Sequence, residues 1–348
     1  MHLRVTSGYR TRGLLAAVVM SVVAWGNAAA QAPPFTEREV TFRNRSVELR
    51  GTLMMPSGRS RFPGVVFLHG SGPHPREGFR PYAEEFAKLG IASLFFDKRG
   101  SGKSGGSWTN ASLEDLAGDA LAAVDYLKTE QRVDSARIGF WGVSQAGWVA
   151  PMAASRSKDI AFMILVSGGG ASPRESELFS YEQEFERAAL TPAARAQARD
   201  VLGIYFDYLA TGRQRAEVVT RLDSIRTGPL GPLAKQLDRV LPSEENRPNW
   251  SWVATHDPAP YIELLTFPTL LMFGDRDTDH PTALAVERWQ AGLRKAGNER
   301  VTLMVFPGAG HGIRMREGTK GGGRPPFADG YFEVQLGWLW RNVVNNLR

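Results

Sequence analysis

The chain has no cysteine in 348 residues. It can therefore form no disulfide and carry no lipid on a cysteine, so an oxidising compartment would be tolerated without being exploited. Its N-terminal apolar stretch, the twelve residues Leu14 to Trp25, falls well short of the roughly 20 that a membrane-spanning helix needs. No basic run with interleaved aromatics occurs, which gives nucleic-acid binding little support. No internal repeat is evident, and no metal-ligand spacing appears, so no metal is expected.

The short apolar stretch has a different meaning. Arg4, Arg10 and Arg12 precede it, and Ala28-Ala29-Ala30 supplies an A-x-A cleavage site before Gln31. This is the layout of a secretory signal peptide. Residues 1–30 are expected to be removed on export from a bacterial cytoplasm to a periplasmic or secreted location, leaving no stable membrane anchor. Without those three arginines the net charge falls from +6 to +3, a modest excess. The remaining length suits one large domain with an insertion, or two domains.

Two strands around a turn at Asn44 are expected over 39–56. Beyond them come runs that are apolar throughout: "GVVFLHG" (64–70), "ASLFFD" (92–97), "RIGFWG" (137–142), "AFMILVSGG" (161–169), "TLLMFG" (269–274) and "VTLMVFPG" (301–308). Continuous apolar runs suit strands buried on both faces, as in a parallel sheet. Helical spacing appears at 79–89, at Ser112 to Leu127 behind an S-x-x-D capping signal, from Ser144 to about Ala154, from Thr282 to Ala296, and at the C-terminus. Alternation of this kind predicts an α/β fold with a doubly wound, mostly parallel sheet. Residues 172–260 break the rhythm. They contain two helix-like stretches, then a segment with Pro, Asn and Trp that reads as a loop. The expected organisation is a core of 31–171 and 261–348 with 172–260 as a helical cap controlling access to a site.

One glycine-rich loop invites a nucleotide reading. "DKRGSGKSGG" (97–106) contains Gly102-Lys103-Ser104, the tail of a P-loop, but the position that needs the first glycine is Asp97. A P-loop also runs directly into a helix that holds the phosphates, whereas Gly105, Gly106 and Asn110 continue this loop. It reads as a plain strand-to-helix connection.

"GVSQAG" (142–147) comes close to the G-x-S-x-G turn that exposes a nucleophilic serine, with Ala146 at the fifth position. Ser144 follows a predicted strand and opens a predicted helix, the context that such an elbow requires. The turn strains the serine backbone and demands small neighbours at −2 and +2, which Gly142 and Ala146 supply. Partners follow in the order acid, then base. The loop "GDRDTDHP" offers Asp275, Asp277 and Asp279 after one strand, and "PGAGHG" places His311 after the next. His69, His74, His256 and His280 compete with His311, which alone combines this order with a loop after the last strand. All three elements lie beyond the carboxyl ends of the strands, where open α/β sheets carry their sites. An oxyanion hole needs two backbone N–H groups. Gln145, next after the nucleophile, is one candidate; the loop "HGSG" (69–72) supplies the other, Ser71 ahead of Gly72. His69 reads as a brace for that loop.

Five ordered pieces, "HGSGP", "FFDKRGSGKS", "GVSQAG", "GDRD" with Pro281, and "GAGH", span about residues 62 to 311. Together they resemble the α/β-hydrolase superfamily, nearest its dienelactone-hydrolase-like and serine-aminopeptidase-like (prolyl-oligopeptidase-related) branches. The resemblance implies an α/β-hydrolase fold and picks Asp277 as the acid through the pattern G-x-x-D at Gly274–Asp277. The chain departs from the pattern at Ala146, where glycine is usual, and at His280, where a small aliphatic residue is common. These departures put elbow geometry and the polarity near the acid in question.

The implied activity is that of a serine hydrolase cleaving a small-molecule carboxylic ester or lactone, a chemistry that needs no cofactor. A short-peptide substrate is the alternative, and a non-catalytic binding module or an acyl transferase on the same fold are further readings. A peptidase of the aminopeptidase type would anchor the substrate amino group on acids of the cap, for which Glu175, Glu177, Glu182, Glu184 and Glu186 are candidates. Trp148, Tyr181, Trp250 and Trp252 are candidates for pocket walls. Activity should rise with pH as His311 loses its proton, near the usual histidine value of about 6.5.

Overall fold

A computed structural model describes residues 34–58, 60–315 and 325–345. The expected signal segment 1–30 lies outside the described residues. No helix among the described residues is long and apolar enough to cross a membrane.

Eight strands form one sheet in the order β1-β2-β4-β3-β5-β6-β7-β8. They are β1 (Phe35–Asn44), β2 (Val47–Pro56), β3 (Phe62–Leu68), β4 (Ala92–Phe96), β5 (Val133–Val143), β6 (Ile160–Val166), β7 (Thr269–Gly274) and β8 (Val301–Phe306). The β1–β2 hairpin is antiparallel and joins β4 antiparallel, with Leu53 opposite Leu94. From β4 to β8 all pairings are parallel, as in Val66↔Leu94, Val66↔Phe140, Phe140↔Met163 and Leu165↔Leu271.

The continuous apolar runs are explained by the two covered faces. Val66, Leu94, Phe140, Met163 and Leu271 join one buried cluster, whereas their neighbours Val65, Phe95, Trp141, Ile164 and Leu270 join the other. Successive side chains of a strand point to opposite faces, so a sheet covered on both sides needs apolar residues at every position. The first face is covered by helices α2 (Leu113–Thr129), α3 (Ala146–Ala154) and α11 (Thr282–Lys295), and the second by α1 (Arg80–Lys88) and α12 (Tyr331–Leu339). Ser112 caps α2 through a reciprocal pair of bonds with Asp115, as its S-x-x-D signal predicts.

The last run departs from expectation. β8 reads as a strand buried on both faces, yet it is the sheet's edge, and Met304 and Val305 are exposed. Its apolar pattern carries no information about how many strands lie beyond it.

Between β6 and β7 the chain makes seven helices: α4 (Pro173–Arg187), α5 (Pro192–Thr211), α6 (Arg215–Ser224), α7 (Gly231–Val240), and the single turns α8 (Arg247–Trp250), α9 (Trp252–Thr255) and α10 (Ala259–Ile262). The stretch expected as a loop is thus partly helical. This segment has its own apolar cluster, built on Phe185, Val201, Phe206, Leu222 and Leu237.

Because β3 to β8 run parallel, the loops after β3, β4, β5, β6, β7 and β8 all emerge at one edge of the sheet. The adjacency of β4, β3 and β5 brings Lys98, the His69–Gly72 loop and Ser144 together there.

Candidate active site

Ser144 sits between the end of β5 and the start of α3 with φ +57°, a left-handed conformation uncommon for a residue with a side chain. Holding it there costs on the order of 1–3 kcal/mol, and the surroundings leave it little alternative. Its N–H donates to the Val166 carbonyl at 2.9 Å, and its carbonyl accepts from Gly147 at 2.8 Å. A Cβ on Gly168 would lie 2.1 Å from the Ser144 carbonyl oxygen, so the loop after β6 closes on the elbow only because it is glycine. The elbow tolerates Ala146 for a related reason. A Cβ on Gly142 would lie 2.5 Å from the Cβ of Ala146, so the methyl at +2 occupies space left by the bare position at −2.

His311 opens the short 3-10 turn after β8, and its Nδ1 lies 2.9 Å from Asp277 Oδ2. The other oxygen of Asp277 accepts from the N–H groups of Asp279 at 2.8 Å and His280 at 3.0 Å. Burial pushes the Asp277 carboxyl up, but the His311 hydrogen bond and charge, helped by the Asp279 N–H and by His280, outweigh it and hold the carboxyl below its usual range. For His311 the balance runs the other way. Burial draws the imidazole down, yet the hydrogen bond and charge of Asp277, with the charge of Asp279, leave it above its ordinary value.

The other acids of the loop are placed differently. Asp275 accepts from the Gly308 N–H at 2.7 Å and does not reach His311. Asp279 is exposed beside the pair. Asp277, Asp279 and His311 bring three possible metal ligand atoms within 4.8 Å of one another. Both Asp277 oxygens are already engaged by N–H groups, which suits an imidazole partner better than a cation.

Ser144 and His311 line the same cavity of about 550 Å³, but Ser144 Oγ makes no hydrogen bond to His311 among the described residues. Neither the Gln145 nor the Ser71 N–H donates to a described protein group; Ser71 borders the cavity of Ser144, and Gln145 follows Ser144 directly in the chain.

The competing histidines have other tasks. His280 is buried; its Nε2 donates to the Gly169 carbonyl at 2.9 Å, so its Nδ1 accepts from Ser176 Oγ of α4 at 3.0 Å. Burial lowers it to about 4, which keeps it neutral and makes it a tie between the helical segment and the acid loop. His69 is buried against Phe79 and Phe96. His74 bonds the Ser71 carbonyl at 2.5 Å, and His256 lies over Tyr261.

A second cavity of about 350 Å³ lies on the other side of Ser71, between the sheet edge and the helical segment. Lys98, Gln145, Glu177, Tyr181, Trp250 and Trp252 are among its walls. Glu177 is accessible there, yet protein surrounds it, and this burial, with the charges of Glu184 and Asp279, pushes its carboxyl up to about 7. Of the other acids of α4, Glu175 caps the helix and pairs with Arg288, Glu182 pairs with Arg199, and Glu184 and Glu186 are not among the walls of this cavity. Trp148 is not a wall of this cavity; it is packed in the core and donates to the Ala171 carbonyl.

The glycine-rich loop after β4 serves structure. Asp97 uses its carboxylate to accept from the N–H groups of Arg76 and Lys103, both at 2.8 Å, and Arg99 pairs with Asp119 on α2 at 2.6 Å. The amide that a phosphate would need is thereby taken by a carboxylate. Within this loop Lys98 was not marked by the sequence. Its position is one of three variable ones in the motif D-x-R-G-x-G-x-S, and the only signal is a lysine directly behind a fully buried strand.

Known proteins share this fold in outline. The chain is 26% identical over 291 residues to the esterase EstD of Thermotoga maritima, which covers 82% of this chain and 61% of EstD. It spans less than two thirds of that relative and 39% and 37% of the next two curated ones. Among solved structures, the esterase Pf2001 of Pyrococcus furiosus superposes with a TM-score of 0.57 at 20% identity, covering 89% of this chain and 94% of that one. An acylaminoacyl peptidase of Pyrococcus horikoshii gives 0.56 at 18% identity, covering 89% and 42%. At such identities the likeness shows the fold alone. The model of the alpha/beta hydrolase family matches residues 65–318, most of the chain and every element that bears the site, and the chain belongs to that family.

Proposed function

We propose that this protein is a serine hydrolase that cleaves a carboxylic ester or lactone through an acyl-enzyme on Ser144. The observation that carries the reading is the left-handed Ser144 beside the His311–Asp277 pair at 2.9 Å, with both groups opening on one cavity. Ser144 Oγ attacks the carbonyl carbon while His311 Nε2 takes its proton, and Asp277 orients the ring and stabilises its cation. The Gln145 and Ser71 N–H groups receive the oxyanion. Collapse of the intermediate returns the proton from His311 to the leaving alkoxide, and water then repeats the sequence to release the acid.

The test is a fluorophosphonate probe on the folded protein with Ser144→Ala beside it, followed by mapping of the adduct by mass spectrometry. An adduct on Ser144 that vanishes in the variant supports the reading. A folded protein that takes no label would favour a binding module. The basic start, short apolar run and A-x-A site support export with cleavage near Ala30, which the N-terminus of the mature protein would check.

Glu177 favours a second reading, hydrolysis of short peptides. A carboxyl that faces the cavity with no hydrogen-bond partner among the described residues suits a substrate amino group. A panel of aminoacyl amides beside neutral esters separates the two.

A further inference from the structure

We propose that Lys98 is a positioning residue for the oxyanion hole, polarising the Ser71 N–H through its peptide carbonyl and fixing the Gln145 residue through its side chain, both from behind. The inference rests on the serine-hydrolase reading above. Lys98 directly follows Asp97 at the end of β4 and is 4% exposed. Its Nζ donates to the Gly70 carbonyl at 2.7 Å and to Gln145 Oε1 at 2.7 Å. The first acceptor belongs to the same peptide unit as the Ser71 N–H. A charge-assisted bond to a carbonyl withdraws electron density from its peptide, which strengthens the N–H on the other side as a donor. The second acceptor is the side chain of the residue whose own N–H forms the other half of the hole. One ammonium thus ties together the loops after β3 and β5, whose separation sets the width of the hole.

The charge of this lysine is not spent on an acid. Lys98 forms no ion pair among the described residues. The carboxylate that acts on it, Asp119, is occupied by Arg99 at 2.6 and 2.7 Å and by Asn44 at 2.8 Å. A buried cation without a carboxylate is costly, and an oxyanion forming in front of the two peptides would supply the missing negative charge in the transition state. Around it stand Asp119 and Arg99 on the α2 side, His69 and His74 on the loop after β3, and Glu177 across the second cavity. Burial draws the Lys98 ammonium down to about 7, against the charge of Asp119. The enzyme should therefore lose part of its rate as pH rises past that value, falling to a lower plateau on which a neutral amine still donates its bonds.

The experiment compares wild type, Lys98→Met and Lys98→Arg, with thermal melts to establish folding. For a p-nitrophenyl ester, Lys98→Met is expected to lower kcat by about 10- to 100-fold, less than loss of a direct oxyanion donor, with KM changed by less than about threefold. Its fluorophosphonate labelling rate falls in parallel, the alkaline decline disappears, and Lys98→Arg recovers part of the rate. A kcat within threefold of wild type, or a loss confined to KM, overturns the inference. So does a labelling rate that stays the same. If Lys98→Met does not fold, Lys98→Gln takes its place, and a kcat and labelling rate within threefold of wild type overturn the inference. Wild-type protein that is not labelled at all overturns the hydrolase reading, and this inference with it. Labelling at equal rates in wild type and Lys98→Met overturns only the role of Lys98.

Discussion

A Cβ built on Gly142 would stand 2.5 Å from the Cβ of Ala146, far inside the roughly 3.5–4.0 Å at which carbon atoms make contact. The two positions flanking Ser144 therefore share one methyl-sized space, and this chain fills it from the helix side. Gly142→Ala alone should distort the elbow and abolish fluorophosphonate labelling, at an overpacking cost of about 1–3 kcal/mol. Ala146→Gly should keep labelling within a few-fold of wild type and lose about 1 kcal/mol of stability through the weaker helix former in α3. The double variant Gly142→Ala/Ala146→Gly should recover labelling. Labelling rates and melts across this cycle give the coupling directly, and additive losses would contradict the shared space.

The acid limb of the pH profile should lie above the ordinary histidine value, because Asp277, with help from Asp279, raises His311 despite its burial. Activity needs the neutral imidazole, so kcat/KM climbs with pH through that raised value. In Asp277→Asn the hydrogen bond and charge that raise His311 are gone. Its limb should move to lower pH while the rate drops by about 10³ to 10⁴. Asp279→Asn should move the limb in the same direction with a much smaller loss of rate. Profiles of kcat/KM from pH 4 to 9 check both, and an unmoved limb in Asp277→Asn would remove Asp277 from its role.

Five of the six long apolar runs were legible because both faces of those strands are covered, which leaves no polar position to blur the pattern. β8 carries the same pattern and still lies at the edge, since hydropathy reports which residues avoid water but not what covers them. The helices α7, α8 and α10 were hidden by their prolines. Pro232, Pro248 and Pro260 look like loop punctuation, yet each stands in the first turn of a helix, where a missing N–H costs nothing. The sequence left three aspartates open by spacing, and the 2.9 Å approach of Asp277 to His311 separates them. Lys98 stayed invisible because its role depends on which loops are neighbours, and the order β4-β3-β5 is a property of the sheet.

Ser176 and His280 join the helical segment to the acid loop through a buried hydrogen bond. In Ser176→Ala the His280 Nδ1 would be left without a donor, a loss of about 1–3 kcal/mol for a buried acceptor. A lower melting temperature is expected. A larger fall in kcat/KM for bulky esters than for acetate is expected as well, because α4 also carries Glu177 and Tyr181 into the second cavity. Equal losses for all esters would mean that the bond supports the acid loop alone.

Glu177 gives the second cavity a charge that depends on pH. With its carboxyl pushed up to about 7, it is mostly neutral at pH 6 and mostly ionised at pH 8. A substrate whose acyl end bears an ammonium should therefore gain in kcat/KM, relative to a neutral ester of the same length, as pH rises through 7. The cation itself favours the ionised form, so the gain begins below 7 when substrate is bound. Glu177→Gln should flatten this ratio and lower it by about tenfold, the scale of one lost charge-assisted bond of roughly 1.5 kcal/mol. The ratio cancels the His311 titration, which both substrates share. A pH-independent ratio in the wild-type enzyme would show that cationic acyl groups do not reach Glu177, and would remove the observation that favours peptides.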